Sequence, residues 1–357
     1  MKRCVMFGGA GYVGTHLARH FLKTKRFDHI HIADIRRSPL EGTPRITTSR
    51  TDVRRPIEIA LAPPSPEWIF NLAAVHREPG HAPCEYYETN LPGAANVCDY
   101  AEVIGCDNIY FTSSISVYGP TVRATDEKAP IRPITPYGGS KYAAEAIHQQ
   151  WRRNGHGRRL LISRPGVLYG PDDPGNIMRM IKAIQKGYFA FPGKPSIYKS
   201  YGYIYGFLVS IDFLIDRGEE HVVYNYVESP TQPLCELVEA VKQYLQCRAL
   251  VLPLPLRLLL PVSKLVQAVA GYKNPIHPVR VKKAATPTHI VPQTLIDMGF
   301  KFEYSFLRSL EHWRQVAPHD FEPDVLRNLP SVERSAATTR SPVIEPSPTP
   351  TAELVES

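Results

Sequence analysis

The chain has 357 residues, of which 43% are hydrophobic and 21% charged, so it has the size and composition of a globular protein with a buried core. The formal net charge is +8, but basic residues occur singly or in pairs such as Arg36–Arg37, which argues against a nucleic-acid partner. The six cysteines form no Cys-x-x-Cys pair and have no histidine at zinc spacing, so we expect reduced thiols, no metal site and a cytoplasmic location.

Short apolar runs alternate with helical patterns through the first half of the chain. Strands are predicted at residues 4–9, 29–34, 67–74, 108–114 and 159–165, and helices at 14–24, 90–105 and 140–153. This alternation predicts an α/β fold, a Rossmann-type doubly wound parallel sheet covered on both faces.

The second half is less regular and richer in proline. Helical patterns reappear at residues 176–187, 233–245 and 305–316, which predicts a smaller α/β substrate lobe. We place the cofactor-binding domain at 1–165 and the lobe at 166–325, with interleaving of the two allowed. Residues 326–357, rich in Pro, Ser and Thr, are predicted to be a disordered tail.

One apolar stretch, residues 249–272, comes nearest to a membrane span but does not fit one. It contains three prolines together with Arg257 and Lys264. We interpret it as a buried segment of the lobe, with contact to a membrane surface as the alternative.

A glycine-rich turn lies between the first strand and the first helix. Gly8, Gly11 and Gly14 allow a sharp turn, a close approach to a pyrophosphate and tight packing of the helix. Asp34 ends the second strand, 20 residues after Gly14, where a carboxylate accepts hydrogen bonds from an adenosine ribose. This pattern favours NAD, and Arg36 leaves NADP as the alternative. An ordinary structural turn is the other interpretation.

Further cofactor contacts are expected at neighbouring turns and strand ends. Asp52 follows a predicted third strand and is either an adenine contact or a solvent-facing turn acid. The remaining predicted positions are Tyr12, Val13, Ile35, Arg36, Val53, Leu72, Ala73, Ala74 and Pro165.

Tyr137 is the only tyrosine with a lysine four residues later, Lys141. Residues at this spacing share a helix face, so an ammonium and a positively charged nicotinamide can lower the pKa of the phenol, which is ordinarily near 10. Tyr137 can then exchange a proton with a substrate hydroxyl while hydride moves to or from the nicotinamide, and Lys141 can hold the nicotinamide ribose. Ser114, at the end of a strand, can hydrogen-bond the same substrate oxygen.

The segments "GGAGYVG", "TSSISVYG", "YGGSK" and "RPGVLYGP", together with Asp34, resemble the extended short-chain dehydrogenase/reductase family. This is the NAD-dependent epimerase/dehydratase group, best known for nucleotide sugars. The resemblance covers about residues 1–320 and implies a Rossmann domain, a substrate lobe and a homodimer. By position it implies catalytic roles for Ser114, Tyr137 and Lys141, and cofactor contacts for Gly8, Gly11, Gly14 and Asp34.

Departures from the family pattern narrow the expected chemistry. Ile115 and Ser116 stand where the 4,6-dehydratases resemble one another in having Asp-Glu, and Ser116 also stands where decarboxylases have glutamate. The reactions that remain for this chain are epimerisation and net reduction. Val167 replaces an asparagine that contacts substrate in many nucleotide-sugar members, which leaves room for another secondary alcohol.

Six residues are predicted to contact a small-molecule substrate: His76, Ser114, Ser116, Asn176, Lys199 and Tyr201. A helix cap is the alternative for Asn176, a surface loop for His76, and packing of alternate aromatic residues on a strand for Tyr201. The leading hypothesis is an NAD-retaining epimerase of a nucleotide sugar in polysaccharide biosynthesis. The alternatives are a net NAD(P)-dependent oxidoreductase on a nucleotide sugar or lipid-like alcohol, and a non-catalytic dinucleotide-binding protein.

Overall fold

The computed structural model describes residues 1–61, 65–173, 175–270 and 277–322. The tail predicted at 326–357 lies outside the described residues. The strands are β1 Arg3–Phe7, β2 His29–Asp34, β3 Ile46–Arg50, β4 Trp68–Asn71, β5 Asn108–Thr112, β6 Thr121–Thr125, β7 Arg159–Pro165, β8 Val167–Tyr169, β9 Tyr188–Pro192, β10 Tyr201–Tyr203, β11 His221–Tyr226, β12 Leu250–Leu254 and β13 Thr288–Ile290. The helices are α1 Tyr12–Thr24, α2 Pro83–Val103, α3 Pro136–Arg153, α4 Asn176–Gln185, α5 Ile204–Arg217, α6 Leu234–Leu245, α7 Leu256–Ala270, α8 Pro278–Ala285, α9 Gln293–Asp297 and α10 Phe306–Val316.

Seven parallel strands form the central sheet in the order β11-β7-β5-β4-β1-β2-β3. The predicted parallel α/β fold is confirmed. The chain leaves β1 in one direction along the sheet and returns to its other side through β4. The carboxyl ends of β1 and β4 therefore form the crevice where open α/β sheets bind ligands.

Both faces of the sheet are buried, which explains why its strands are apolar without strict alternation. Met6 and Phe70 pack into the larger core cluster on one face. Val5 and Ile69, their neighbours along the same strands, pack into the second cluster on the opposite face. This alternation places β1 and β4 between two buried core clusters.

Two helices begin earlier than the sequence pattern predicted. α2 begins at Pro83 and α3 at Pro136, because proline is tolerated in the first helical turn, where its missing N–H would have no helical partner. Thr135 caps α3 by accepting a hydrogen bond from the backbone N–H of Gly138 (3.1 Å). As a result, Tyr137 lies inside the first turn of α3 rather than in the loop before it.

The second half of the chain contributes to both parts of the fold. β11 pairs with β7 at the edge of the main sheet, and α5 packs against α1. Three two-stranded sheets, β8–β10, β9–β12 and β6–β13, build the region beyond it. The aromatic run expected on one strand is divided: Tyr201 and Tyr203 lie on β10, whereas Tyr205 lies on α5.

The apolar stretch predicted to be buried at 249–272 is largely at the surface where it is described. It forms β12 and α7, and Leu258 and Leu265 of α7 are exposed. The expectation of a buried segment is wrong for these residues. Among the residues that the structure describes, no helix is both long and apolar enough to cross a membrane.

Candidate active site

The glycine turn between β1 and α1 is pressed against the end of β4. Gly8 has a positive φ of 75°, and a Cβ there would lie 2.5 Å from the backbone N of Ala73. A Cβ on Gly14 would lie 2.5 Å from the Cα of Gly9. A side chain at Gly8 would push the turn away from the end of β4, and a side chain at Gly14 would push α1 away from the turn. Both glycines are therefore required by packing.

Asp34 connects the end of β2 to this turn. Its buried carboxylate accepts hydrogen bonds from the backbone N–H of Ala10 (3.0 Å) and of Arg36 (2.9 Å). Gly11 precedes α1 without a capping side chain, so the helix N-terminus presents its partial positive charge to the crevice. A cradle of small residues, an uncapped helix start and an adjacent carboxylate are what a dinucleotide requires, and the chain fits that cofactor.

Arg36 lies across the opening of the turn. Its Nε is 3.7 Å from Oδ1 of Asp34, and its Nη2 is 3.4 Å from the place where a Cβ on Gly11 would be. The guanidinium is mostly exposed. An acid that favours the free ribose and an arginine that can accept a 2′-phosphate are therefore neighbours.

The other predicted cofactor residues surround the crevice without all facing it. Asp52 is paired with Arg54 (Oδ2 to Nη2, 2.6 Å), and this hydrogen bond lowers the pKa of the Asp52 carboxyl. Val53 is buried and faces Gly93 of α2. Tyr12 begins α1, and its hydroxyl is buried without a hydrogen-bond partner in the described part of the chain. Leu72 follows β4, Ile35 is exposed after β2, and Pro165 ends β7.

Ser114 and Tyr137 meet where β5 ends and α3 begins. The Ser114 hydroxyl accepts a hydrogen bond from the backbone N–H of Ser116 (3.1 Å) and thereby caps the short 3₁₀ helix Ile115–Val117. It donates its own proton to the Ser116 hydroxyl (3.1 Å). Ser114 is also near enough to the Tyr137 hydroxyl to lower the pKa of that phenol through hydrogen bonding. The Tyr86 ring lies 6.2 Å from the Tyr137 ring, centroid to centroid. The structure thus places two of the three predicted catalytic groups near each other.

The pKa of Tyr137 differs from the sequence-based expectation. Burial raises it to about 12, and the hydrogen bond with Ser114 lowers it only in part, while Glu78 and Tyr86 raise it further. The expectation that the protein lowers this pKa is wrong for the chain's own residues. Desolvation of the phenolate outweighs the hydrogen bonding from Ser114, so the pKa of Tyr137 stays above its ordinary value unless further positive charge, such as that of a bound nicotinamide, lies beside it.

Lys141, one helical turn after Tyr137, is fully buried. Its Nζ lies 4.2 Å from the centroid of the Phe111 ring. Burial lowers the pKa of this amine to about 7, and the Coulomb attraction of Glu145 opposes that shift. The charge of Lys141 therefore depends on pH near neutrality.

A buried ionic cluster behind Lys141 escaped the sequence analysis. Glu145 accepts hydrogen bonds from Arg164 Nη2 (2.7 Å) and Nε (2.9 Å) and from the Ser113 hydroxyl (2.5 Å). Arg164 Nη1 also donates to the Tyr118 hydroxyl (2.8 Å). The cluster joins α3, β7 and the end of β5 next to the predicted catalytic residues. Its only sequence signal is that Glu145 repeats the four-residue spacing between Tyr137 and Lys141.

His76 lies on the loop after β4. Asn90 of α2 fixes that loop, because its Oδ1 accepts from the backbone N–H of Val75 (2.9 Å) and its Nδ2 donates to the Ser140 hydroxyl (2.9 Å). Desolvation lowers the pKa of His76, and the cations of Arg77, Lys141 and Arg36 lower it further. His76 therefore lies within the electrostatic field of Lys141 and Arg36, a predicted catalytic residue and a predicted cofactor contact.

The substrate residues predicted in the second half are more dispersed. Asn176 is the first residue of α4, whose N-cap is Gly175, so the helix-cap alternative for Asn176 is wrong. Its Oδ1 accepts from Arg179 Nη1 (3.2 Å). Lys199 donates to the backbone carbonyls of Thr286 (2.7 Å) and Lys283 (3.0 Å), and burial lowers its pKa to about 8. Tyr201 is buried on β10. Substrate contacts at these positions stay predictions.

Within the part of the chain that the structure describes, no group of three or more His, Cys, Asp or Glu side chains is arranged to hold a metal ion.

Comparison with known proteins agrees with this site. Residues 4–205 match the model of the NAD dependent epimerase/dehydratase family. The chain is 31% identical over 316 residues to N-acetyl-alpha-D-glucosaminyl-diphospho-ditrans,octacis-undecaprenol 4-epimerase of Escherichia coli O157:H7, covering 87% of this chain and 94% of that protein. It is 26% identical over 212 residues to UDP-glucose 4-epimerase 2 of Arabidopsis thaliana, covering 52% of this chain and 61% of that protein.

Among solved structures, UDP-glucuronic acid 4-epimerase from Bacillus cereus in complex with UDP-glucuronic acid and NAD superposes with a TM-score of 0.70 at 17% identity. That alignment covers 89% of this chain and 99% of the other. At this identity the likeness concerns the fold. The family match spans the glycine turn, Asp34 and the Ser–Tyr–Lys residues, and the chain belongs to the NAD-dependent epimerase/dehydratase family, whose cofactor is NAD.

Proposed function

We propose that this chain is a 4-epimerase of a nucleotide sugar. The observation that carries the proposal is that Ser114, Tyr137 and Lys141 converge where β5 ends and α3 begins, with Ser114 near enough to Tyr137 to lower the pKa of its phenol. We assign the epimerisation to carbon 4 of the sugar because several relatives and structural neighbours are 4-epimerases.

The chain's own residues divide the work of proton transfer. Tyr137 takes the proton of the sugar hydroxyl, and Ser114 hydrogen-bonds the same oxygen as it becomes a carbonyl. Lys141, when protonated, would supply positive charge beside the site, and it is the residue that would hold the nicotinamide ribose. NAD, when bound, supplies the hydride acceptor and returns the hydride. The sugar ring must turn over in the crevice before hydride returns, so that the configuration of the carbon inverts.

Elimination of water is not supported by the residues after Ser114. Ile115 and Ser116 hold the 3₁₀ helix there and offer no carboxylate, although one relative is the dTDP-glucose 4,6-dehydratase of Neisseria meningitidis serogroup B, matched over 54% of its length. A dehydratase needs an acid and a base at the leaving hydroxyl. We therefore favour epimerisation over dehydration.

A second candidate substrate is a sugar joined by diphosphate to a polyprenol. It is favoured by the Escherichia coli relative, whose name gives a substrate of that kind and which the chain matches over 94% of its length. The chemistry at the sugar would be the same. Only the group beyond the diphosphate would differ.

The test begins with native mass spectrometry of the purified protein, where we expect a mass increment equal to NAD. The protein is then incubated with UDP-glucose, UDP-glucuronic acid or a polyprenyl-diphosphate-linked N-acetylglucosamine, and the sugar is analysed by NMR. Epimerisation predicts a new C4 configuration with no net change in nicotinamide absorbance. A stoichiometric absorbance change would identify a net oxidoreductase instead, and absence of turnover with bound NAD would favour a non-catalytic binding protein.

We also propose that the protein is a homodimer formed through α2 and α3. These helices pack together, and Tyr87 and Tyr142 are exposed on them. Light scattering coupled to gel filtration would give the molar mass, and a monomeric mass would contradict the proposal.

A further inference from the structure

The net positive charge of the chain arises in one segment that lacks acidic residues. Residues 240–296 contain no Asp or Glu, whereas the other 300 residues carry 34 basic and 34 acidic side chains. The basic residues of the segment are Lys242, Arg248, Arg257, Lys264, Lys273, Arg280, Lys282 and Lys283. The whole net charge of +8 therefore arises here, on and around β12, α7 and α8.

The same segment presents a row of apolar side chains to solvent. Leu258, Val262 and Leu265 lie on one face of α7, at helical spacing, and are 61%, 54% and 67% exposed. Pro261 and Ala268 extend the same face and are also exposed. Leu250 and Leu252, on one side of β12, are exposed as well. We call these seven residues the α7 face.

Basic side chains accompany the apolar row. Arg257 and Lys264 are exposed on α7, two helical turns apart, and each precedes an exposed leucine. An apolar face with cations along its border is the pattern of helices that lie in a membrane interface, where the leucines enter the acyl boundary and the cations meet lipid phosphates. A surface of this extent on a soluble protein otherwise marks an interaction site.

The α7 face is connected to the candidate active site through α8. α7 packs against α8. Lys283 of α8 forms an ion pair with Glu78 (Nζ to Oε2, 3.1 Å), and the charge of Glu78 contributes to the pKa of Tyr137. The surface and the catalytic residues are therefore linked by one helix and one ion pair.

We propose that the α7 face binds the surface of an anionic lipid bilayer, with α7 lying in the plane of the interface. Charge complementarity selects this occupant over a second copy of the chain. A two-fold contact between copies would bring two segments of charge +8 together, whereas anionic lipids attract each Lys and Arg near the surface. The proposal goes beyond the proposed function, because it assigns a surface and a partner and does not depend on the reaction.

The test is co-sedimentation of the full chain with vesicles of phosphatidylcholine, with and without phosphatidylglycerol. We expect binding to the anionic vesicles that weakens with salt. The double variant Leu258→Ser/Leu265→Ser should bind on the order of tenfold less. Arg257→Gln/Lys264→Gln should also bind less, with a smaller dependence on salt. The control Val122→Ser/Leu307→Ser, which removes exposed apolar residues elsewhere, should bind like the wild type.

Vesicle binding, NAD retention and turnover are measured separately, so a failed epimerase assay does not bear on the membrane proposal. Thermal unfolding confirms that each variant is folded. Absence of binding by the wild type, or equal binding by Leu258→Ser/Leu265→Ser, would overturn the proposal. A change of molar mass in that variant without a change in vesicle binding would also overturn it, in favour of contact between copies.

Discussion

Gly138, in the first turn of α3, lies directly against the backbone carbonyl of Ser116. A Cβ at position 138 would overlap with that oxygen and with the Ser116 carbonyl carbon. The absence of a side chain lets the start of α3 approach the 3₁₀ helix that Ser114 caps. This contact sets the separation between Tyr137 on α3 and Ser114 after β5.

Gly138→Ala should therefore reduce turnover, because it pushes α3 away from the Ser114 segment, even though alanine in a helix is intrinsically favoured by about 1 kcal/mol. Gly139→Ala is the matched control. Its Cβ would meet only the hydroxyl end of Tyr87, a half-exposed side chain that can turn aside. Steady-state kinetics measures kcat for both variants. Equal rates would show that the Gly138 contact does not position Tyr137.

Tyr137→Phe should lower kcat by about 10²- to 10⁴-fold, the usual contribution of a general acid–base group, while NAD binding stays close to that of the wild type. The ring would still pack near Tyr86, so only the hydroxyl is lost. Tyr142→Phe, an exposed tyrosine on the same helix, serves as the control. Unchanged turnover in Tyr137→Phe would remove this hydroxyl from the mechanism.

Lys141 should make the stability of the protein depend on pH. Burial lowers the pKa of this amine from 10.5 to about 7, so between these values the unfolded chain binds a proton that the folded protein does not. Stability therefore rises with pH across this window, and the cost of the buried charge is largest below it.

Replacing this amine by an uncharged side chain removes that dependence. We expect Lys141→Met to be more stable than the wild type by on the order of a few kcal/mol at about pH 6, with a smaller difference at about pH 9. Thermal unfolding at several pH values measures it. A difference that does not change with pH would show that Lys141 titrates at its ordinary value.

Glu145→Gln should destabilise the protein by about 3–5 kcal/mol, because it leaves the buried Arg164 guanidinium without its carboxylate. Glu102→Gln is the control. It removes an ion pair with Arg158 (2.7 Å) whose acid is largely exposed, and should cost less than about 1 kcal/mol. Urea unfolding compares the two.

Glu145→Gln should also change the pH dependence of activity, which a general loss of stability would not do. Because Glu145 raises the pKa of Lys141, its removal should move the alkaline limb of kcat/KM to lower pH. A uniform loss of rate with an unshifted pH profile would limit Glu145 to a structural role.

Asp34→Asn should weaken NAD binding by about tenfold and raise the preference for NADP, because one of the two backbone hydrogen bonds and the negative charge are lost while Arg36 remains. Asp28→Asn, whose carboxylate accepts from the backbone N–H of Lys2 instead, is the control. Titration with NAD and with NADP gives the ratio of the two dissociation constants. An unchanged ratio would show that Asp34 does not distinguish the free ribose from the 2′-phosphate.

The amino-acid pattern alone was enough to predict the alternation of strands and helices in the first half of the chain and the position of the main motifs. Strands such as β1 and β4 are apolar apart from one terminal residue each, and the turn at Gly8 needs a backbone conformation that glycine provides. These are local properties, so one sequence suffices to predict them. The spacing of Tyr137 and Lys141 likewise follows from helix geometry alone.

Tertiary structure decided the properties that depend on residues distant in the chain. The raised pKa of Tyr137 and the lowered pKa of Lys141 result from burial by other segments, which no local pattern reports. The pairing of Glu145 with Arg164 joins a helix to a strand. The exposure of Leu258 and Leu265 could not be predicted from the sequence either. Periodicity shows that a helix has an apolar face, but it does not show which partner covers that face.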